Sequence, residues 1–289
     1  MSNFAIITDS CCDFTEKQYQ NWNVISCALS VTYNGENHSN FSDEASVKAF
    51  YDEMRGGVMA TTSAVNPEGW SAVIEPQLSQ GLDVLVLAFS SGLSTTYQSA
   101  VIAADELKEK YPQRKIHVVD TLCAALGQGM LVWYACRKRE EGLSVDETAA
   151  WCEENKLHLC HWFTVNDLNH LKRGGRVSAA TALVGTMLNI KPVLHVDNEG
   201  HLINMSKARG RKASIEAMCK KIGELSEGWD NETIFIGHGD CAEDAAYLES
   251  LIRKAYPGIQ NVITGYVGPV IGAHTGPGVL AVFFMGKHR

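Results

Sequence analysis

Two hydroxyl-rich segments stand just ahead of helix signals. Thr61-Thr62-Ser63 precedes Pro67, and Ser90-Ser91-Gly92-Leu93-Ser94-Thr95-Thr96 follows an apolar run. The first turn of a helix has unpaired N–H groups and the positive end of the dipole, so either segment could receive an anion. Ser94 is read as the N-cap of the helix that follows. Serine and threonine at such positions also cap helices while binding nothing else. A third candidate is His274, within a Gly- and Pro-rich stretch, 265–278, that reads as an irregular loop. Glycines there would let backbone approach a ligand closely. His274 could then donate to a carboxylate, or simply pack in the loop.

Other groupings point elsewhere. Ala88-x-Ser90-x-Gly92 approximates the GxSxG nucleophile elbow, and Ser90, Asp240 and His274 follow one another in hydrolase order. An elbow needs its helix to begin right after the serine, whereas here the cap signal comes four residues later. A serine hydrolase using Ser90 is nevertheless the alternative reading. His158, Cys160 and His161 would fall on opposite faces of a strand and so do not chelate one ion; no metal site is expected. GxGxxG and GxxxxGK[ST] are absent, which leaves phosphate cradling unsupported. Two basic clusters, Lys172-Arg173-Gly174-Gly175-Arg176 and Lys207-Ala208-Arg209-Gly210-Arg211-Lys212, are either solvated surface or a docking site for something anionic.

The elements that must position these residues alternate. Strands are expected at 4–8, 24–28, 30–33, 83–89 and 115–119, with helices at 45–54, 68–79, 95–110, 124–141 and 145–155. Residues 61–66 read as a polar loop. Continuous apolar strands followed by helices argue for a parallel sheet covered on both faces. Beyond residue 158 the pattern becomes mixed. A strand at 158–165, a short helix at 167–172, a helix capped by Ser178 and a hairpin of 191–196 with 201–207 come first. Helices at 212–225 and 242–256 and strands at 233–238, 261–266 and 279–285 complete it. The expectation is an α/β protein of two domains: residues 1–158, a parallel-sheet α/β domain, and residues 159–289, an α+β domain.

A length of 289 residues suits two cores, and the net charge of −8 is the reverse of what counterion-release binding to nucleic acid requires. No apolar run reaches the roughly 18–20 residues of a membrane span. The N-terminus has no basic segment of a secretory signal. The nine cysteines are odd in number and lack CxxC spacing, so they read as reduced, buried thiols of a cytoplasmic protein.

Six segments, in order, resemble the DegV family, the fatty-acid-binding subunits of bacterial fatty-acid kinase. Ile6-Ile7-Thr8-Asp9-Ser10 is similar to the family's opening ITDS strand. Thr62-Ser63-Ala64-Val65-Asn66-Pro67 resembles TSQPSP, with Ala64 and Val65 in place of Gln and Pro. Ser90 to Ala100 resembles SSGLSGTYQSA, with Thr95 for Gly. Leu171 to Ser178 resembles LKKGGRIS, Leu188 to Pro192 LNIKP, and Gly268 to Gly278 GPVIGAHTGPG. The resemblance implies one long-chain fatty acid in a tunnel between the two domains. Its carboxylate would be bound by Thr62 and Ser94, with His274 and Thr95 beside them. The chain would present it, without a cofactor and without catalysis of its own, to a separate kinase subunit that brings ATP and metal. Arg173, Arg176, Arg209 and Arg211 would dock that partner at the tunnel mouth.

Overall fold

The computed structural model describes residues 4–39, 41, 43–178 and 189–289. The expected helix after Ser178 lies outside the described residues. The first half forms a parallel sheet from β1 (Phe4–Asp9), β2 (Val24–Cys27), β6 (Asp83–Ala88) and β7 (Ile116–Asp120), in the order β2-β1-β6-β7. Alternate side chains leave opposite faces of a strand. Ile7, Val84 and Val86 therefore pack on one side, against α3 (Pro67–Ser79) and α4 (Thr96–Lys110), in a core that Val47, Phe50 and Tyr51 of α2 (Glu44–Arg55) join. Ile6, Leu85 and Leu87 pack on the other, against α5 (Leu126–Glu140) and α6 (Val145–Asn155). Local signals set the helix ends: Asn66 caps α3 with Pro67 in its first turn, and Ser144 with Glu147 closes a capping box on α6.

Three elements depart from expectation here. Residues 61–66 do not form a loop throughout, because Thr61–Ser63 is a strand, β5. It pairs antiparallel with β3 (Ser30–Tyr33), whose other edge carries β4 (Glu36–His38). Thr62 stands opposite Val31 in that ladder. The ladder's hydrogen bonds outweigh the turn preference of a run of threonine and serine. A short helix, α1 (Glu16–Asn21), capped by Thr15, was also not anticipated.

The second half forms a six-stranded mixed sheet. Its strands are β8 (Leu159–Thr164), β9 (Ile190–Val196), β10 (Leu202–Arg209), β11 (Thr233–His238), β12 (Asn261–Tyr266) and β13 (Leu280–Met285), in the order β10-β9-β8-β13-β11-β12. Trp162, Ile234, Ile236, Val282 and Phe284 face α8 (Arg211–Leu225) and α9 (Ala242–Ala255). Leu159, Phe163, Phe235, Ala281 and Phe283 face the other way and share one core with α5. Helix α5 thus lies between the two sheets. Its residues from Leu126 to Val132 are all buried, as a helix without a polar face must be. The fold is α/β, a parallel-sheet domain joined to an α+β domain. The segment expected as an irregular loop, 265–278, contains a further short helix, α10 (Pro269–Thr275). Proline at its first position favours a helix start, which the density of Gly and Pro had concealed.

The loop between β6 and α4 in the first half meets the β9–β10 turn of the second half closely. A Cβ on Gly92 would lie 2.7 Å from the Glu199 carbonyl oxygen and 2.9 Å from that of Gly200. Beside them, Asp9 is fully buried at the end of β1. Its carboxylate accepts from the N–H of Phe89 at 2.7 Å and of Cys11 at 3.0 Å. Burial pushes its pKa up to about 6 despite those bonds. Asp9→Ala would leave two buried N–H groups without an acceptor. We expect it to lower unfolding free energy by about 3 kcal/mol, read from urea denaturation midpoints. A change below about 0.5 kcal/mol would show that water replaces the carboxylate without cost.

Candidate functional site

A cavity of about 530 Å³ lies among α5, the loop before α4, helix α10 and the sheet of the second half. Its wall is mainly apolar: Leu29, Phe89, Ala125, Phe163, Val267 and Phe283 contribute. Polar groups gather at one part of it. His274 Nε2 lies 2.8 Å from Thr62 Oγ1, joining residues 212 apart in the chain. Strand β5 presents Thr62, and the last turn of α10 presents His274. The approach of His274 depends on Gly174, where a Cβ would lie 2.3 Å from His274 Nδ1.

Ser94, Thr95 and Arg176 also line the cavity. Ser94 was expected to cap α4, but the N-cap residue is Thr95, which makes no side-chain cap bond. Ser94 Oγ instead accepts from the Thr96 N–H at 3.2 Å and lies 2.8 Å from Thr96 Oγ1. The tight turn through Ser90 carries Ser94 out of the cap position: the N–H groups of Leu93 and Ser94 both bond to the Ser90 carbonyl. Arg176 donates from Nε and Nη2 to the Leu93 carbonyl at 3.3 and 3.1 Å and from Nη1 to the Gly174 carbonyl. Its guanidinium therefore belongs to the cavity wall rather than to an exposed cluster. Burial, and then the charge of Arg176, push the His274 pKa down to about 4. A neutral imidazole beside a fixed guanidinium makes this part of the cavity a polar, electropositive end suited to an oxyanion.

The four arginines grouped by the sequence have different surroundings. Arg173 is exposed, with Nη2 donating to His170 Nδ1 at 2.8 Å, and Arg209 is exposed at the end of β10. Arg211 instead pairs through Nε with Asp244 at 2.8 Å and donates from Nη2 to the Gly278 carbonyl at 2.7 Å. It braces the turn before α8 against the start of α9.

The hydrolase constellation does not assemble. Ser90 is fully buried and its hydroxyl donates to the Gly200 carbonyl at 3.0 Å. Asp240 is held by Arg55 Nη1 at 2.5 Å and by the Tyr266 hydroxyl at 3.3 Å. His274 faces Thr62. Among the described residues, no group of three or more His, Cys, Asp or Glu could hold a metal, and no helix is long and apolar enough to cross a membrane. All nine cysteines are free, and eight are buried.

Sequence reasoning missed His161, Phe163, Ala281 and Phe283 as cavity residues. His161 was placed in a core strand, and it is 2% exposed on β8. Burial and the Arg289 charge hold its pKa well below the usual histidine range. The alternation in β8 puts 161 and 163 on one face, but only the second sheet's position shows that this face borders a cavity.

A pH dependence follows from His274. Its folded pKa lies below the ordinary value of 6.5, so the native state resists protonation. The stability associated with the neutral ring is present above about pH 6.5 and is lost as pH falls toward 4. In NMR titrations the ring should have a midpoint near pH 4, and Arg176→Gln should raise it by removing a neighbouring positive charge. An unshifted midpoint near 6.5 in the wild type would contradict this environment.

Comparison with known proteins agrees with this architecture over its full length. A family model described as "Uncharacterised protein, DegV family" matches residues 3–287. A DegV domain-containing protein of Clostridium perfringens is 45% identical over 290 residues, covering 100% of this chain and 99% of that protein. One from Lactococcus lactis is 36% identical, covering 98% of each. Among solved structures, a DegV family protein from Thermus thermophilus, described for its fatty acid binding, superposes with a TM-score of 0.88 at 31% identity, covering 98% of this chain and 99% of that one. A DegV lipid binding protein from Thermotoga maritima gives 0.86 at 28% identity, with 100% of both chains covered. The chain belongs to the DegV family.

Proposed function

We propose that this protein binds one long-chain fatty acid, with its carboxylate at Thr62, Ser94, Thr95 and His274, and presents it to a separate kinase subunit for conversion to an acyl phosphate. The observation that carries this reading is the form of the cavity. Most of its wall is apolar, and hydroxyls of Thr62, Ser94 and Thr95 line it together with His274 and Arg176, Thr62 and His274 being in direct contact. Its volume of about 530 Å³ falls within the roughly 300–1,000 Å³ of small-molecule sites. Burying a methylene is worth about 0.8 kcal/mol, so a long acyl chain offers on the order of 10 kcal/mol before ordering costs. The carboxylate needs donors once it leaves water, and three hydroxyls, an imidazole and the nearby Arg176 can offer them. The Thermus protein's described fatty acid binding supports the same ligand class.

A presenting role, rather than hydrolysis, is supported by the engagement of Ser90 with Gly200. In this reading the cavity lies between domains of residues 1–158 and 159–289. Arg173 and Arg209 are exposed and suit docking of the kinase at the mouth, where a planar guanidinium pairs well with carboxylates or phosphates. Arg176 and Arg211, expected to share that role, are committed to backbone carbonyls within the fold. Free, buried thiols accord with a cytoplasmic setting.

Mass spectrometry of a denaturing extract should find about one equivalent of fatty acid per chain, and added palmitate should raise the melting temperature. Thr62→Ala, Ser94→Ala and His274→Ala should each weaken binding by about 1–3 kcal/mol, whereas Ser90→Ala should leave the ligand bound and a fluorophosphonate should not label the protein. No lipid in the extract and no thermal shift would reject the reading. A second measurement separates binding from presentation. Arg173→Ala and Arg209→Ala should retain wild-type lipid content while acyl-phosphate formation with kinase and ATP falls, and raised salt should have the same effect. Loss of lipid in step with turnover would place these arginines in binding instead.

A further inference from the structure

The cavity has one regular wall. Strands β8 and β13 pair antiparallel, with Ala281 opposite Phe163 and Phe283 opposite His161. Alternate residues share a face, about 6.6 Å apart along each strand. All four of these side chains line the cavity. The next pair on that face, Met285 opposite Leu159, is fully buried and takes no part in the lining. Along this wall the cavity therefore stops at His161 and Phe283.

Neither ring can retreat. They meet edge to face, with centroids 5.2 Å apart and planes at 86°. His161 Nδ1 donates to the Leu159 carbonyl at 3.0 Å, and its Nε2 accepts from the Ala124 N–H at 3.3 Å. Helix α5 stands directly against them: a Cβ on Gly127 would lie 2.2 Å from His161 Nε2 and 2.7 Å from Phe283 Cδ1. The polar part lies in the other direction. From His161, β8 runs through Thr164 toward α7 (Leu168–Arg173), and Gly174, just beyond α7, is the residue against which His274 rests.

We propose that His161 and Phe283 form the stop that sets the longest straight acyl chain this protein accepts, making them the residues that determine chain-length specificity. The inference rests on the fatty-acid reading above. A chain anchored by its carboxylate near Thr62 and His274 extends its methyl end toward this pair. Each added methylene is buried until the chain reaches the rings, and further carbons must bend back or displace the carboxylate.

The test is a displacement titration with a fluorescent fatty acid against laurate, myristate, palmitate, stearate and arachidate. In the wild type, affinity should rise about four-fold per added methylene and then stop rising at one length. His161→Ala and Phe283→Ala should let the rise continue to longer acids. Ala281→Leu adds volume to the same wall and should move the break to a shorter acid, so it decides the matter even if the two truncations unfold. A break at one unchanged length in every variant that still binds palmitate would overturn the stop while leaving fatty-acid binding intact. A wild-type protein that binds none of the acids would overturn the fatty-acid reading and the stop with it.

Discussion

Helix α5 is the constraint on which the rest depends. Its first seven residues, Leu126 to Val132, carry no charge and are all buried, with the amide of Gln128 bonded to Thr8, so it needs cover on every side. One sheet alone covers one face of a helix. The parallel sheet of the first half and the mixed sheet of the second half therefore close on α5 together and share one core through it. The cavity opens at the start of this helix, where Ala124 and Ala125 are too small to fill the gap between the sheets.

The polar part of the cavity follows from a second constraint, the cost of burying charge. A fixed guanidinium in a low-dielectric wall needs acceptors, and Arg176 finds them in the carbonyls of Leu93 and Gly174. Its charge and the surrounding burial keep His274 neutral, so the ring can share a hydrogen bond with Thr62 without adding a second buried cation. The result is a positive potential held by backbone dipoles, with an adaptable hydroxyl–imidazole pair beside it. Such an arrangement is polarised before any ligand arrives.

Much of the fold was legible because its signals are local or short in period. Continuous apolar strands followed by helices gave away the parallel sheet, and Pro67 marked a helix start without any tertiary help. The misreadings also have physical causes. Thr61–Ser63 is a strand only because β3 offers it a ladder, and three residues are too few to show a period. Helix α10 was hidden by four glycines and two prolines between residues 268 and 278, although one of those prolines starts it. Ser94 had the right residue type for a cap, but the turn through Ser90 moved the cap to Thr95.

By itself the sequence determined which residue types could serve the proposed site, Thr62, Ser94 and His274, but not the strand and the short helix that carry Thr62 and His274. The types depend on hydroxyl and imidazole chemistry. Only the tertiary structure decided which of them meet. Thr62 and His274 come together across 212 residues. Arg176 turns inward while Arg173 stays exposed, although the two are three residues apart. Ser90, Asp240 and His274 keep hydrolase order in the chain yet have separate partners. His161, one buried residue among many in the sequence, becomes the end of a cavity because a helix from the other half stands against it. Burial and long-range proximity arise from how two sheets pack on one helix, and no local pattern in the chain encodes that distance.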